Sequence, residues 1–242
     1  MEPTYGDYDV QSIDGIDTLI DRLDSAGSDI TELSHILKDY ISFGNSKIAN
    51  SVAIFNMNSA TDCPNAQTEH CQVPWDSCYA HKAENIYPNT LPYRRRQEYL
   101  WDCLDAETFA KAFLELVGRK RNAVTAVRFS EAGDFRHDSD IIKVDRVAEL
   151  LKPHGIDVYT YSASDYLDWS HVKHFTVNQS NNMAEYGDRL YSAVPTPAEI
   201  PDDAIQCPHD YQKSQGNDSP VKCGDCRLCI DSDAPDVFIT LH

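Results

Sequence analysis

The sequence contains little positive charge. Its 21 lysine and arginine residues stand against 39 acidic residues, and the formal net charge is −18. A general affinity for nucleic acid requires clustered basic residues, so we expect no such activity from this composition. The acid is mostly aspartate, with 28 residues against 11 glutamates. This bias resembles proteins of high-salt cytoplasm, where salt screens repulsion between like charges. It indicates a haloarchaeal or halovirus origin, and the alternative is an ordinary acidic mesophile protein.

Long apolar segments are also missing. No stretch reaches the about 20 apolar residues that a membrane-spanning helix needs. The N-terminus, MEPTYGDYDVQSIDG, lacks the basic and apolar regions of a signal peptide. We therefore expect a cytoplasmic protein, in the host cytoplasm if it is viral, with no membrane partner. Thiols stay reduced there, so clustered cysteines bind metal more often than they form disulfides.

Cysteine is present in two tight groups. The first group is Cys63, Cys71 and Cys78, the second is Cys207, Cys223, Cys226 and Cys229, and Cys103 stands apart. Thiolates are soft ligands for Zn²⁺ and for iron–sulfur clusters, and short spacings let several sulfurs reach one centre. The grouping therefore predicts two metal or cluster sites, and disulfides are the alternative.

The first group has the spacing Cys-x7-Cys-x6-Cys on one loop. Zinc sites more often contain a close cysteine pair and need four protein ligands. Three cysteines suit a [4Fe–4S] cluster with one iron left open to a substrate or cofactor. Zinc stays an alternative, because four nearby side chains could be a fourth ligand: Asp62, His70, Asp76 and His81. Structural thiols are the third interpretation.

The second group contains two overlapping Cys-x2-Cys steps, from Cys223 to Cys229, with Cys207 available upstream. This run resembles ferredoxin-type ligand spacing and favours a second iron–sulfur cluster. Zinc is the alternative, because Cys-x2-Cys pairs are common in four-cysteine zinc sites and His209 adds a ligand. Four cysteines would complete either coordination and leave no position for a substrate.

Apolar periodicity predicts an α/β protein with helices before and between the strands. Helices are expected at about 16–23, 30–40, 76–87, 92–103, 106–117, 139–152 and 165–171, and strands at 52–58, 123–130, 156–164, 174–180, 189–195 and 236–241. We expect an incomplete, partial TIM-like barrel or an open mostly parallel sheet, with a helical N-terminal segment and a cysteine-rich C-terminal extension. The divisions are a mobile acidic tail at 1–13, a core domain at 14–195 and the extension at 196–242, irregular over 196–234.

Polar turns follow three of these strands: the first cysteine loop, EAGD at 131–134, and YSAS at 161–164. The carboxyl ends of parallel strands share one edge, so we expect these turns to lie together there. Gly133 would allow close approach to a ligand, and Glu131 and Asp134 could pair with a cationic amine or a metal. The alternative is a solvated acidic turn.

One basic run, Arg94–Arg96, lies beside aromatic residues. Such a pattern could grip single-stranded nucleic acid. Salt bridges to neighbouring helices are the favoured interpretation in so acidic a chain.

The runs VAIFNMNSATDCP, SCYAHKAE, RFSEAGDFR, VYTYSAS and KCGDCRLC resemble the phage gene product 88 family of uncharacterised viral and plasmid proteins, over about residues 44–230. This resemblance implies that both cysteine groups, the turn containing Ser130, Gly133 and Asp134, and the strand containing Tyr161 and Ser162 form one site.

The same set looks like a reduced radical S-adenosylmethionine architecture. That resemblance implies a three-cysteine cluster loop after the first strand, a turn after the second strand that binds the methionine amino group, and an auxiliary cluster on the C-terminal cysteines. The cysteine spacing here is wider than the usual Cys-x3-Cys-x2-Cys. We therefore expect an iron–sulfur enzyme with a small-molecule cofactor or substrate, and S-adenosylmethionine is the candidate cofactor. The alternative is a non-catalytic binding protein that is stabilised by a structural zinc ion or iron–sulfur cluster and contacts nucleic acid or a viral protein.

Overall fold

The computed structural model describes residues 8–68, 70, 71, 73, 75–180 and 185–240. Residues 1–7 of the expected mobile tail lie outside the described residues. The rest of that segment contacts the body of the protein, since Ile13 is buried and the Tyr8 hydroxyl donates a 2.6 Å hydrogen bond to Glu98. No helix in these ranges has the length and apolar character needed to cross a membrane.

Nine α-helices occur in the described residues. In chain order they are α1 (Ile16–Ala26), α2 (Ile30–Lys38), α3 (Pro64–Thr68), α4 (Tyr79–Ile86), α5 (Thr90–Cys103), α6 (Ala106–Gly118), α7 (Asp138–Leu151), α8 (Pro208–Ser214) and α9 (Cys223–Cys226). Asp105 caps α6, because its Oδ1 accepts a 2.7 Å hydrogen bond from the Thr108 amide.

Eight strands form one sheet. They are β1 (Ser42–Phe43), β2 (Val52–Phe55), β3 (Ala126–Phe129), β4 (Asp157–Ser162), β5 (Thr176–Ser180), β6 (Arg189–Val194), β7 (Ile205–Gln206) and β8 (Val237–Thr240). The sheet order is β1-β2-β3-β4-β5-β6-β8-β7, and only the β1–β2 pair is antiparallel. The α/β class with a mostly parallel sheet is therefore confirmed. Of the two forms expected, the structure has the open sheet.

Two local predictions are wrong. Residues 165–171 form no α-helix. They contain a 3₁₀ turn at Trp169–His171, which Asp168 begins by accepting a 3.0 Å hydrogen bond from the Ser170 amide. The segment 196–234 is not wholly irregular, since it contains α8, α9 and β7. Because β7 pairs with β8 at the end of the sheet, the C-terminal residues complete the sheet and are not appended to it.

The two faces of the sheet pack against different parts of the chain. Strand residues alternate between faces, so Phe55 and Phe129 join the main core under the helices, whereas Ile54 and Tyr159 face a second, smaller cluster. Since β2 to β6 follow one another in chain order with parallel pairing, right-handed connections place the intervening helices on one side. The C-terminal segment covers the other side through Ile230. We call this second side the C-terminal face.

Candidate functional site

The turns after β3 and β4 meet at the buried carboxylate of Asp134. Its oxygens accept hydrogen bonds from the Ser162 hydroxyl at 2.6 Å, from the Ala163 amide at 2.7 Å and from its neighbour Phe135 at 2.7 Å. A fourth bond, of 2.5 Å, comes from the Asn65 side chain in the first cysteine loop. Burial raises the pKa of Asp134 although these donors oppose the shift. One carboxylate thus joins all three turns, as expected of a shared edge.

Gly133 is required by a close approach within the protein. Its φ is +71°, and a Cβ at this position would lie 1.5 Å from Asn58 Oδ1. The Asn58 side chain accepts from the Asp134 amide at 2.9 Å and donates to its carbonyl at 2.7 Å. The sequence interpretation placed a ligand against Gly133 and Asp134. In the structure the Asn58 side chain occupies the space beside Gly133. The Asp134 carboxylate accepts its hydrogen bonds from groups of the protein.

The other expected cofactor-binding residues are distributed around this turn. Ser130 has φ +56°, and its buried hydroxyl has no hydrogen-bond partner among the described residues. Glu131 accepts a 2.6 Å hydrogen bond from Asn45. Tyr161 is on the C-terminal face with its ring 4.6 Å from the Arg128 guanidinium carbon. Ser162 points to Asp134, so these residues do not converge on one point.

Cys63 and Cys71 lie near Asp134 at the carboxyl edge, and Cys78 lies near Cys71 and packs against the small cluster that contains Ala132 of the same turn. Burial and the Asp134 carboxylate raise the pKa of Cys63, although the Ala66 and Asn65 amides oppose this. Burial raises the pKa of Cys71, with smaller effects from Val73, which lowers it, and from the Asp134 charge. Cys71 also interacts electrostatically with Cys63 and with Cys78. The fold therefore gathers three thiols that are separated by seven and six residues.

A buried carboxylate holds the start of this loop. Glu84 on α4 accepts hydrogen bonds from the amides of Ala60 and Thr61, both at 2.8 Å, and from the Thr61 hydroxyl at 2.7 Å. Arg94 on α5 donates to the same carboxylate at 2.5 Å. The segment between β2 and Cys63 is therefore fixed to two helices.

The basic run is engaged in the same region. Arg95 donates two hydrogen bonds of 2.8 Å to Asp62, and Arg94 pairs with Glu84. Arg96 donates to the Asp14 carbonyl. The favoured interpretation, salt bridges to neighbouring helices, is confirmed for Arg94, which pairs with Glu84 on α4, whereas Arg95 pairs with Asp62 in the first cysteine loop. Those two guanidinium groups do not form an open patch for nucleic acid.

The four side chains considered as a fourth ligand of the first group have other contacts or face solvent. Asp62 is paired with Arg95, and His70 lies 2.6 Å from Asp165. His81 stacks on the Trp75 ring with 3.7 Å between centroids, and Asp76 is exposed. None of them is presented to the cysteines as a free ligand.

The four cysteines of the second group line one small cavity. Cys207, Cys223, Cys226 and Cys229 surround a space of about 20 Å³, together with Tyr159 and His209. α9 is a single turn, and Arg227 ends it with φ +60°, which lets the chain return to Cys229. Burial raises the pKa of Cys229 to about 12, although a Tyr161 hydrogen bond opposes this.

Side chains of the sheet hold this cysteine segment in place. Asn178 donates to the Cys229 carbonyl at 2.9 Å, and Thr176 donates to the Ile230 carbonyl at 2.7 Å. Arg189 donates to two further carbonyls of the segment. Gly224 allows close packing, since a Cβ there would lie 2.8 Å from the Ala49 side chain. The segment is thus ordered by contacts with the sheet as well as by its cysteines.

Within the described ranges, no three His, Cys, Asp or Glu side chains stand in an arrangement that could hold a metal ion. All eight cysteines are free thiols. The disulfide alternative is therefore not what the structure contains.

A protein-family model described as Gene product 88 matches residues 35–232. The chain belongs to the Gene product 88 family. No curated protein and no solved structure matches the chain significantly. The family match spans both cysteine groups, the Asp134 turn and the strands between them. The resemblance that the sequence motifs indicated is confirmed, with somewhat wider bounds.

Sequence reasoning missed several residues that define the site in this member of the Gene product 88 family. Nothing in the sequence marks Asn58 and Asn65 as hydrogen-bond partners of a turn far along the chain. A glutamate in a predicted helix, such as Glu84, is ordinarily expected to be exposed. Each of these three acquires its role through contacts between residues distant in sequence. Arg128 was not missed in this way, because its position at the flank of the EAGD turn indicated a residue that could bind a carboxylate or phosphate, or offset the local negative charge.

Proposed function

We propose that the protein is an iron–sulfur enzyme of the radical S-adenosylmethionine type that acts on a small molecule. The observation that carries the proposal is the position of Cys63, Cys71 and Cys78. They lie together at the carboxyl edge of a parallel sheet and beside the turn that follows the next strand. Parallel α/β sheets gather their sites at this edge.

The order of the elements supports the same type. The three-cysteine loop follows β2, the first strand of the parallel series, and the Asp134 turn follows β3 beside it. The radical S-adenosylmethionine resemblance implies this sequence of loop and turn. β2 to β6 are adjacent in chain order, as in a partial barrel, although the sheet here is open.

The first group offers the donor set of a [4Fe–4S] cluster, and its thiols would have to move into a ligating arrangement on binding, since the described side chains do not already form one. It offers three thiols, and the nearby Asp62 and His70 are already paired with Arg95 and Asp165. Such a cluster supplies single electrons, and its iron without a protein ligand would accept S-adenosylmethionine. The protein's own part is to hold the three thiols through the Glu84 and Asn65 contacts and to release their protons on binding.

The space between the cysteines of the second group suits a single metal ion better than a cluster, and the thiols would close around the ion on binding, since they do not already form a ligating arrangement. The cavity of about 20 Å³ is close to the space of one water molecule, ~10–15 Å³ by the same measure. Four cysteines satisfy tetrahedral Zn²⁺ completely. We therefore place zinc, the alternative of the sequence interpretation, at this group, where it would stabilise the C-terminal segment.

Metal analysis tests the proposal. Protein purified without oxygen is expected to contain iron and sulfide at the first group and to absorb visible light through thiolate–iron charge transfer. Cys63→Ala, Cys71→Ala and Cys78→Ala should each lose the iron, whereas Cys103→Ala is the matched control and should retain it. The reduced protein should bind and cleave S-adenosylmethionine. Stoichiometric zinc at the first group with no iron would contradict the proposal.

A non-catalytic binding protein is the second candidate. It is favoured by exposed apolar side chains next to the first cysteine loop, on α4 and at both of its ends. They are Trp75, Tyr79, Ile86 and Tyr87. Exposed patches of this kind mark contacts with other proteins, and the ion-paired Arg94 and Arg95 make nucleic acid the weaker choice. Binding of a viral protein by metal-loaded protein that leaves S-adenosylmethionine intact would favour this candidate.

A further inference from the structure

The C-terminal face contains a cation without a partner. Arg128 lies in the middle of β3, in register with Ile54 on one side and Tyr159 on the other. Its side chain is half-buried, and its guanidinium is stacked over the Tyr161 ring at 4.6 Å. A cation on an aromatic ring gains some attraction, but a ring accepts no in-plane hydrogen bond from the guanidinium nitrogens.

Other enclosed arginines of the described chain have acceptors. Arg94 and Arg136 pair with carboxylates, and Arg189 donates to two carbonyls although its Nε has no acceptor among the described residues. Arg128 has no ion pair or hydrogen bond to any described residue, and its buried Nε has no acceptor. Glu131 is the acidic residue that acts on it electrostatically, but that carboxylate accepts from Asn45. Five donors in a fixed plane are therefore left unused.

Neighbouring hydroxyls share this lack of partners. The Tyr159 hydroxyl, on the strand paired with β3, is buried with no described hydrogen-bond partner. The Ser130 hydroxyl, two residues beyond Arg128, is also buried with no hydrogen-bond partner among the described residues. Ser130 has a positive φ without being glycine, which costs free energy and is found at ligand sites. Unsatisfied buried polar groups are rare in folded proteins, and here three occur together.

We propose that Arg128 binds an oxyanion, a carboxylate or phosphate, of the ligand that enters the C-terminal face. The guanidinium fork matches the two oxygens of such a group, and the Tyr159 hydroxyl can donate a further hydrogen bond. The surface is strongly acidic, with a net charge of −18, and repels anions in general. A dedicated cation is what allows an anionic ligand to bind such a protein.

This inference rests on the proposed function for the existence of a small-molecule ligand. It adds the charge of that ligand and a contact on the C-terminal face. The oxyanion could belong to the substrate or to the carboxylate of S-adenosylmethionine. Both use the same chemistry, so the experiment separates them. The first arm of the experiment requires no iron. It therefore tests anion binding by Arg128 even if the protein binds no iron–sulfur cluster.

The first arm measures the melting temperature of the full-length protein with sodium phosphate or sodium citrate, at constant ionic strength in sodium chloride. Wild-type protein should be stabilised specifically, and Arg128→Gln should lose this stabilisation. Arg128→Lys keeps the charge without the planar fork and should retain only part of it. Arg146→Gln removes an exposed, ion-paired arginine and is the control for charge, with no expected effect.

The second arm compares binding of S-adenosylmethionine with binding of its decarboxylated analogue to the iron-loaded protein. If Arg128 holds the cofactor carboxylate, Arg128→Gln should weaken the binding of S-adenosylmethionine by about 10- to 100-fold, because a charge-assisted contact is lost. Binding of the decarboxylated analogue should stay unchanged. If it holds the substrate, both affinities stay unchanged and only the first arm responds. Equal behaviour of wild type and Arg128→Gln in both arms would overturn the inference.

Discussion

The Glu84 carboxylate should be the main support of the first cysteine loop. It accepts four hydrogen bonds, and the side-chain exposures of the pair are 1% for Glu84 and 9% for Arg94. Glu84→Ala leaves a buried guanidinium and two amides without this acceptor. Removing one partner of a buried ion pair costs about 3–5 kcal/mol. Glu84→Gln keeps an acceptor and should cost less, about 1–3 kcal/mol.

Urea denaturation would measure these free energies of unfolding. Glu115→Ala is the matched control, because its ion pair with Arg119 is 42% and 44% exposed and should contribute under about 1 kcal/mol. The double variant Glu84→Ala with Arg94→Ala should cost less than the sum of the single variants, since they share one interaction. Iron content should fall in Glu84→Ala. A cost for Glu84→Ala no larger than that of the control would refute the reasoning.

Three further predictions follow from the site and its surroundings. Gly133→Ala should destabilise the fold by at least about 1–3 kcal/mol, because of its positive φ and its contact with Asn58. Urea denaturation measures this loss, and equal stability to wild type would disprove it. Burial raises the pKa of Asp140, but the hydrogen bonds and charge of Arg136 outweigh this and lower it. The stabilisation that ionised Asp140 gives the fold is present above its unfolded pKa of about 4. It is lost as the pH falls through the lower pKa of the folded state. Asp140→Asn should therefore unfold with a shallower acid dependence, and an unchanged acid titration would contradict the assignment. Cys226→Ser should lower zinc content and increase hydrogen exchange in residues 207–230 without removing iron, whereas loss of both metals would show that the two sites are not independent.

The elements of the fold were largely predictable because each has a local cause. Apolar periodicity predicted α6 almost to the residue, and VAIFNMN predicted the strand that leads into the cysteine loop. Errors occurred where local causes compete. Residues 165–171 contain apolar side chains at helical spacing. The Asp168 side chain instead caps a three-residue 3₁₀ turn at Trp169–His171.

The site was predictable only in part, for a related reason. The expectation that three turns meet at one edge required only parallel strands, and the structure agrees. The individual contacts were not accessible in this way. Asn65 and Asp134 are 69 residues apart, and nothing local marks the first as a partner of the second. For Arg94 the sequence favoured a salt bridge to a neighbouring helix, but nothing local marked Glu84 as the partner.

The sequence by itself determined the class of the protein. The periodicity of its apolar residues, its paired cysteine groups and its motifs were sufficient for an α/β fold of the Gene product 88 family, because these are local or additive properties. Only the tertiary structure decided what each polar residue does. It turned Gly133 toward Asn58, placed four cysteines around one small cavity, and left Arg128 without a partner. Those outcomes depend on which distant residues share a buried space, and burial determines the free energy of a charge or a hydrogen bond.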